Sequence, residues 1–426
     1  MAHPFIDAHR REHGTYHPGW GGPEFSSWQD EQLSWKTTCY VGDWSFLWDV
    51  VIEGPDALKV FRDSSINSFE KFAIGQAKHL VQCDDNGKVI CDGVLLRLAE
   101  DRFATQGATA HYSAWLVAQG SYEVTWREQK TFQFQVSGPS ALALSQKLTG
   151  EDLTDIKFMH FRDVTIAGSP VYAVRQGMAG EIGFEFHGRA EDAEQVMSAI
   201  LETGEEFGIR RLGRRTAMIN HLEASFPTGG WHYLKAPGPE GFQEWVGEHF
   251  DRYGLKTAVR GSFESDDLND YLQSPVSMGW GKSVKFDHEF TGREALEKEI
   301  ADPQRVRVTL EFNSEDVVDV YASLFGQDAP YAFLDIPQQQ RWFTWADAVQ
   351  DEDGAVVGTS TTPGYSYYFR KVLALAYVHP RYAEAGTGVK VLWGEPGTRQ
   401  KLIRATVAPA PYKQDNRRSE LGQVAV

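Results

Sequence analysis

From about residue 303 the chain stops mixing helices with strands and becomes a run of short strands. "RVRVTLEF", "AVVGTSTT", "VLALAYV", "GVKVLWG" and "LIRATVA" are each rich in β-branched residues, with turn residues between them. Strands of that length and spacing cannot pair as a parallel sheet with crossover helices, so they predict a small all-β sandwich or barrel. Everything upstream is mixed, and the chain as a whole reads as α+β.

In that upstream part "WDVVIEG" reads as a strand and "PDALKVFRD" as a short helix with Pro55 at its start. "KHLVQCDDNGKVICDGVLLRL" predicts a hairpin turning at Asp85-Asn86-Gly87. "TFQFQVSGPSALALSQKL" predicts a strand, a Gly-Pro corner and a helix, and "SPVYAVR" and "FEFHG" two further strands. "EDAEQVMSAILETGEEFG" has apolar pairs at Val196/Ile200 and Met197/Leu201, so it predicts an amphipathic helix stopped by Gly208. "TGREALEKEI" predicts a helix opened by a Thr291/Glu294 capping box. Residues 1–35 read as an irregular, aromatic-rich wrapping segment and the last fourteen as a polar tail. The expected division is a core over 1–290, with a separate lobe at about 56–134, and a C-terminal β domain over 291–426.

The charge balance narrows the partners. Lys and Arg number 42 against 59 Asp and Glu, a net charge of -17. No nucleic-acid partner is expected, because phosphate neutralisation needs a basic surface. An anionic small molecule would need only a local basic pocket. Cys39, Cys83 and Cys91 match no zinc spacing, and no His/Asp/Glu cluster has ligand spacing, so no metal is expected. Reduced thiols, a polar start and no apolar run of about 18 residues predict a cytoplasmic protein without a membrane span. No obligatory protein partner is evident. The 13 Trp, 16 Tyr and 25 Phe suit a pocket for flat rings.

The stretch "RQGMAGEIGFEFHG" carries glycines at 177, 180 and 183. A dinucleotide fingerprint needs a helix after the glycines and a Walker loop needs a lysine. Here a strand follows and no lysine is present, so the phosphate reading fails. A carboxylate accepts two parallel hydrogen bonds, from an arginine or from a ring edge with two N–H donors such as a pterin. The competing reading is a glycine-rich turn with solvated glutamates.

Six blocks, in order, resemble the aminomethyltransferase (glycine-cleavage T-protein) family. They are "GKVICDGVLLRLAEDRF", "FQVSGPSA", "VRQGMAGEIGFEF", "RRLGRRTAMINHLEASF", "GWGKSVKFDHEFTGREALEKE", and "VVGTSTTPGYSYYFRKVLALAYV" with "ATVAPAPY". "PEFSSW", "GMAG" and "APAPY" are most similar to the family's tetrahydrofolate-dependent aryl O-demethylases, which act on vanillate, syringate and related methoxybenzoates. The resemblance implies a folate-binding mixed α/β core around a central channel, a C-terminal β-barrel-like domain, tetrahydrofolate as cofactor and a methoxylated aromatic as substrate.

It also implies roles. Glu185 would grip the pterin edge, with Gln135, Phe158, Arg175, Arg215, Asn220 and Phe226 in the same wall. Asp92 matches the aspartate near the reactive end of folate, where an anion stabilises developing positive charge. On the substrate side the pattern departs. The tyrosine that polarises the ether oxygen matches Ala217, the arginine matches Ala108, a histidine matches Ser45 or Phe46, and a second tyrosine matches Pro18, with Tyr16 close by. The proton-donor candidates are therefore His111, Tyr112 and His221, with Tyr16 and Tyr40 behind them. Two other readings are an aminomethyltransferase or N-demethylase acting on a small amine, and a folate-binding iron–sulfur assembly protein. The second is disfavoured because "TTCYVGDW" keeps only Cys39, Tyr40 and Gly42 of that branch's motif.

Overall fold

The computed structural model describes residues 3–423 apart from 18, 48, 178–179 and 251–257. Pro18, which matches the second tyrosine, and Met178 and Ala179 of the "GMAG" block lie outside the described residues.

Three sheets organise the chain. The first has six strands in the order Arg210–Arg211, Tyr40–Asp43, Thr131–Ser137, Gly183–Arg189, Ser169–Val174, Phe161–Ile166. Helices Ala141–Thr149 and Ala193–Gly204 pack on it. Val196 and Ile200 are fully buried there against Phe184 and Phe186, as their spacing predicts, and each contributes about 1.5–3 kcal/mol of apolar burial. Gly208, at φ 65°, ends the helical run after a 3-10 turn.

The second sheet has five strands, in the order Ala77–Cys83, Val89–Arg97, Arg102–Gln106, Asp49–Glu53, Thr125–Gln129. Helices Ala57–Ser64, Ala108–Ala118 and Phe242–His249 share its core. The Asp84 side chain accepts from the Asn86 and Lys88 amides at 3.0 and 2.8 Å, and Gly87 takes φ 71°. This fixes the hairpin at the expected turn. Gly93 has a steric reason: a Cβ there would sit 2.5 Å from Thr109 Oγ1. Its absence lets the start of helix Ala108–Ala118 press onto the strand beside Asp92.

The third sheet closes on itself. Val306–Phe312, Lys401–Ala408, Gly388–Trp393, Asp347–Gln350, Val356–Ser360 and Lys371–Val378 pair in turn, and the last pairs back with the first. This is the expected C-terminal barrel, filled by Leu310, Val349, Ala374, Val391, Ile403 and their neighbours. The sequence reading missed strand Asp347–Gln350, where a bulge interrupts the alternation. It also missed helix Ser314–Ala322, although Asn313 caps it by accepting from the Glu315 and Asp316 amides.

Four expectations are corrected. Residues 1–35 are not irregular: helices Pro4–Arg11 and Trp28–Thr37 form there, capped by the side chains of His3 and Ser27. Helix Arg293–Ala301 has no capping box, because Gly292 at φ 86° is its N-cap. Helix Ala57–Ser64 has Asp56 at its N-cap position, without a side-chain cap hydrogen bond, which leaves Pro55 outside it. The last segment is not a free tail. Leu421 is buried in the core of the six-stranded sheet, and the Asn416 amide donates to the Gly180 carbonyl at 2.7 Å. No helix among the described residues is long and apolar enough to cross a membrane.

Asp49 starts the strand shared by the second sheet and sits buried under Gln133, which donates to both its oxygens at 3.0 Å. Burial pushes its carboxyl up to about 7, against the partly opposing effects of His187 and Gln133. The folded chain therefore holds a proton on Asp49 between about pH 4 and 7 that the unfolded chain does not. Stability from this group is full below pH 4 and lost as pH rises through 7. Asp49→Asn keeps the protonated shape at every pH. Its urea midpoint, relative to the parent chain, is expected to rise as pH goes from 4 to 7; a constant difference would show that Asp49 stays ionised.

Candidate functional site

A cavity of about 710 Å³ opens where the three sheets meet. The hairpin of the second sheet supplies Lys78, His79 and Asp92–Val94. Helix Ala217–Glu223 and the loop after it supply Met218, His221 and Ala224–Gly229. The barrel side supplies Arg307 and Trp342, and the final segment supplies Asp415, Arg417 and Arg418.

One half of the cavity is an aromatic wall. His17 lies 4.8 Å from Trp342 and 4.7 Å from Trp20, ring centre to ring centre; Trp20 meets Trp44 edge-on at 5.3 Å. Trp44 stacks on His221 at 5.5 Å, and His221 meets Phe226 edge-on at 5.8 Å. Phe226 continues to His79 and Trp280. Trp20 holds φ 61°, a conformation that costs a non-glycine residue energy and is retained where surrounding packing demands it. Burial lowers the His17 imidazole to about 4, with Arg214 adding to the effect. Burial and then Lys413 lower His221 to about 3. Both rings are neutral at physiological pH, so this wall carries no net charge from them.

The charged lining residues are mostly cationic. Lys78, Lys235, Lys282, Lys285, Arg307, Arg417 and Arg418 line the cavity against two carboxylates, Asp92 and Asp415. A chain of net charge -17 thus concentrates positive charge at one place, the local basic pocket an anionic ligand requires.

Asp92 lies between the two regions. His79 Nε2 is 2.9 Å from its Oδ2, and the Tyr233 hydroxyl donates to its Oδ1. Burial raises its carboxyl, but His79, Tyr233 and Lys235 together outweigh burial and hold it below the ordinary value. It is a carboxylate at neutral pH. The hairpin register puts His79 opposite Val94 and Val81 opposite Asp92, so His79 and Asp92 are diagonal neighbours on one face.

Of the residues singled out from the sequence, Asp92, His221, Phe46, Ala108, Phe158 and Phe226 line this cavity. The Nδ1 of His221 faces Thr228 Oγ1 at 2.8 Å. Phe46 meets His17 edge-on at 4.9 Å.

A second group forms a buried polar layer outside the cavity lining. Glu185 is fully buried; Gln176 donates to its Oε2 at 2.8 Å and His187 Nε2 is 2.6 Å from its Oε1. Gln176 does line the cavity, so Glu185 presents an oriented amide to it. Pairing with Glu185 raises His187 even though burial opposes it. The Tyr40 hydroxyl donates to Gln135 at 2.9 Å and accepts from Asn220 at 3.1 Å, and Lys413 donates to Asn220 at 2.6 Å.

The rest lie elsewhere. Arg175 donates to the Ile156 and Ser419 carbonyls, and Arg215 to Glu24 and the Ile336 carbonyl. Tyr16 is exposed under Arg341. His111 and Tyr112 pack against Phe250 and Phe242, because helix Ala108–Ala118 turns that face to the core under the five-stranded sheet. Ala217 is buried beside Met218, which with His221 reaches the cavity from this helix.

The glycine-rich loop has a structural explanation in part. A Cβ on Gly177 would lie 1.5 Å from the Glu181 carbonyl oxygen, and Gly180 has φ 81°. These glycines let the loop fold back on itself. Glu181 is partly neutralised by Lys413 at 3.3 Å. Among the described residues no group of three or more His, Cys, Asp or Glu could hold a metal ion.

Comparison with known proteins agrees with this architecture. The family description "GCVT N-terminal domain" matches residues 6–233, and "Glycine cleavage T-protein C-terminal barrel domain" matches residues 334–413. The chain is 36% identical to syringate O-demethylase of Sphingobium sp. (strain NBRC 103272 / SYK-6) and 37% identical to sesamin methylene transferase of Sinomonas sp. (strain No.22), covering 91% of this chain and 89% of the relative in each case. It is 27% identical to the aminomethyltransferase of Halalkalibacterium halodurans (strain ATCC BAA-125 / DSM 18197 / FERM 7344 / JCM 9153 / C-125), over 93% of both chains. The crystal structure of glycine cleavage system aminomethyltransferase T from Bartonella henselae superposes with a TM-score of 0.68 at 18% identity, covering 97% of this chain and 98% of that one.

Proposed function

The chain belongs to the glycine-cleavage T-protein family, and from that premise we propose that it is a tetrahydrofolate-dependent O-demethylase. It moves a methyl group from a methoxylated aromatic compound to tetrahydrofolate, leaving a phenol and 5-methyltetrahydrofolate. The observation that carries this reading is the division of one cavity into a neutral aromatic wall and a cationic region, with an ionised aspartate between them. The two relatives at 36% and 37% identity are named for chemistry on oxygenated arenes, which supports the aromatic wall as the arene's place.

The residues fit folate. Its carboxylates match the cationic region, and Phe158, Phe226 and the amide of Gln176 offer two ring faces and a polar edge. When bound, tetrahydrofolate supplies the nitrogen that accepts the methyl group. The chain's own contribution is positioning and charge. Holding donor and acceptor in line can supply about 7–11 kcal/mol of the barrier. Asp92, ionised at the cavity lining, would stabilise positive charge developing on the methyl acceptor and would take up a proton from it. His221, neutral, orients and shields rather than donating from an imidazolium.

Incubation with tetrahydrofolate and a panel of methoxyarenes, read by mass, is expected to yield 5-methyltetrahydrofolate and a phenol in equal amounts. Formation of methylene-tetrahydrofolate with release of ammonia or an amine from amine donors, and no methyl transfer from any arene, would replace this reading with the aminomethyltransferase one.

A further inference from the structure

The expected polarising groups for the departing oxygen are missing: alanine stands at 108 and 217, Tyr112 packs in the core under the five-stranded sheet and His111 against Phe250. We propose that Lys235 takes this role, its ammonium holding the aryl oxygen as the ether bond breaks. The inference rests on the demethylase reading and names a residue that no sequence motif singled out.

Three observations place Lys235. It lines the cavity. It lies within electrostatic reach of Asp92, whose carboxylate it stabilises. Its stem runs along Gly229, where a Cβ would lie 2.4 Å from its Cε; Gly229 belongs to the segment that carries Trp231 into the aromatic wall. Lys235 therefore stands where the aromatic wall meets Asp92.

The chemistry suits an ammonium. The methyl–oxygen bond breaks with its electron pair on the aryl oxygen, and the methyl carbon bonds to the accepting nitrogen. The proton released by that nitrogen leaves through Asp92 to water. Lys235 gives the aryloxide a proton and regains one from water, so charge and protons balance. A fixed positive charge also lowers the cost of the aryloxide before the proton moves.

The test reads ionisation rather than turnover. 4-Nitrocatechol is a coloured product analogue whose phenolate is visible by absorbance. Bound to the full chain with 5-methyltetrahydrofolate, it is expected to ionise at a pH at least one unit lower than when free. Lys235→Met is expected to abolish the shift and Lys235→Arg to retain most of it, with both variants matching the parent chain's thermal unfolding. A full shift persisting in Lys235→Met overturns the role of Lys235. If 4-nitrocatechol fails to bind while the chain still makes 5-methyltetrahydrofolate, the placement of the arene beside Lys235 is overturned but the demethylase reading stands. If neither occurs, that reading falls and the inference with it.

Discussion

Asp92→Asn is expected to lower kcat by about 100- to 10,000-fold, the range seen when a positioned acid–base group is lost. Tetrahydrofolate affinity should stay close to that of the parent chain. The substitution keeps shape and hydrogen-bonding reach while removing one negative charge. In the folded chain that charge is deliberately maintained: burial raises the carboxyl, yet His79, Tyr233 and Lys235 bring it below its ordinary value. Asp92 is thus ionised across pH 5–8, and no limb of the pH–rate profile in that range should belong to it. Pre-steady-state turnover and calorimetric folate binding separate the two effects. A large loss of folate affinity with kcat preserved would make Asp92 a binding residue only.

Glu185→Ala is expected to cost about 3–5 kcal/mol of stability, because it breaks a buried ion pair and leaves His187 charged or unpartnered in the core of a sheet. Urea denaturation measures this. Folate affinity should fall as well, by about 1.5–3 kcal/mol for one charge-assisted hydrogen bond. The route matters. Glu185 holds Gln176 at 2.8 Å, and Gln176 is the residue at the cavity surface. If Glu185 works through that amide, Gln176→Ala loses the same affinity with little change in stability. If Glu185 grips the pterin directly, Gln176→Ala keeps most of the affinity. Equal affinity in all three proteins would remove this pair from the folate site.

The sheets were legible from local pattern because their turns and apolar spacing are local. Asp84–Gly87 fixes one hairpin, Val196 and Ile200 fix one helix face, and the strand run after 303 closes as a barrel. What escaped was long-range. His17, Trp20, Trp44, Trp231 and Trp342 come from four separate stretches, and nothing in any one of them signals a shared wall. His79 was the exception that could have been found. Once the hairpin turn is set, register alone puts it diagonal to Asp92. His111 and Tyr112 show the opposite failure. Motif position placed them beside Ala108, but the helical period rotates them into the lobe core, where Phe242 and Phe250 receive them. The capping box failed because the helix starts one residue later than its motif implies, with Gly292 rather than Thr291 at the N-cap.

The segment after the barrel returns to the first sheet, where Leu421 is buried and Arg417 and Arg418 line the cavity. On the ribosome, residues 415–421 are made after everything else that forms this wall. A nascent chain can fold its sheets in order, yet it holds an unfinished binding surface until these residues emerge from the exit tunnel. Ligand stabilisation by mass action, to the extent that it needs these side chains, follows their emergence rather than guiding the sheets that precede them.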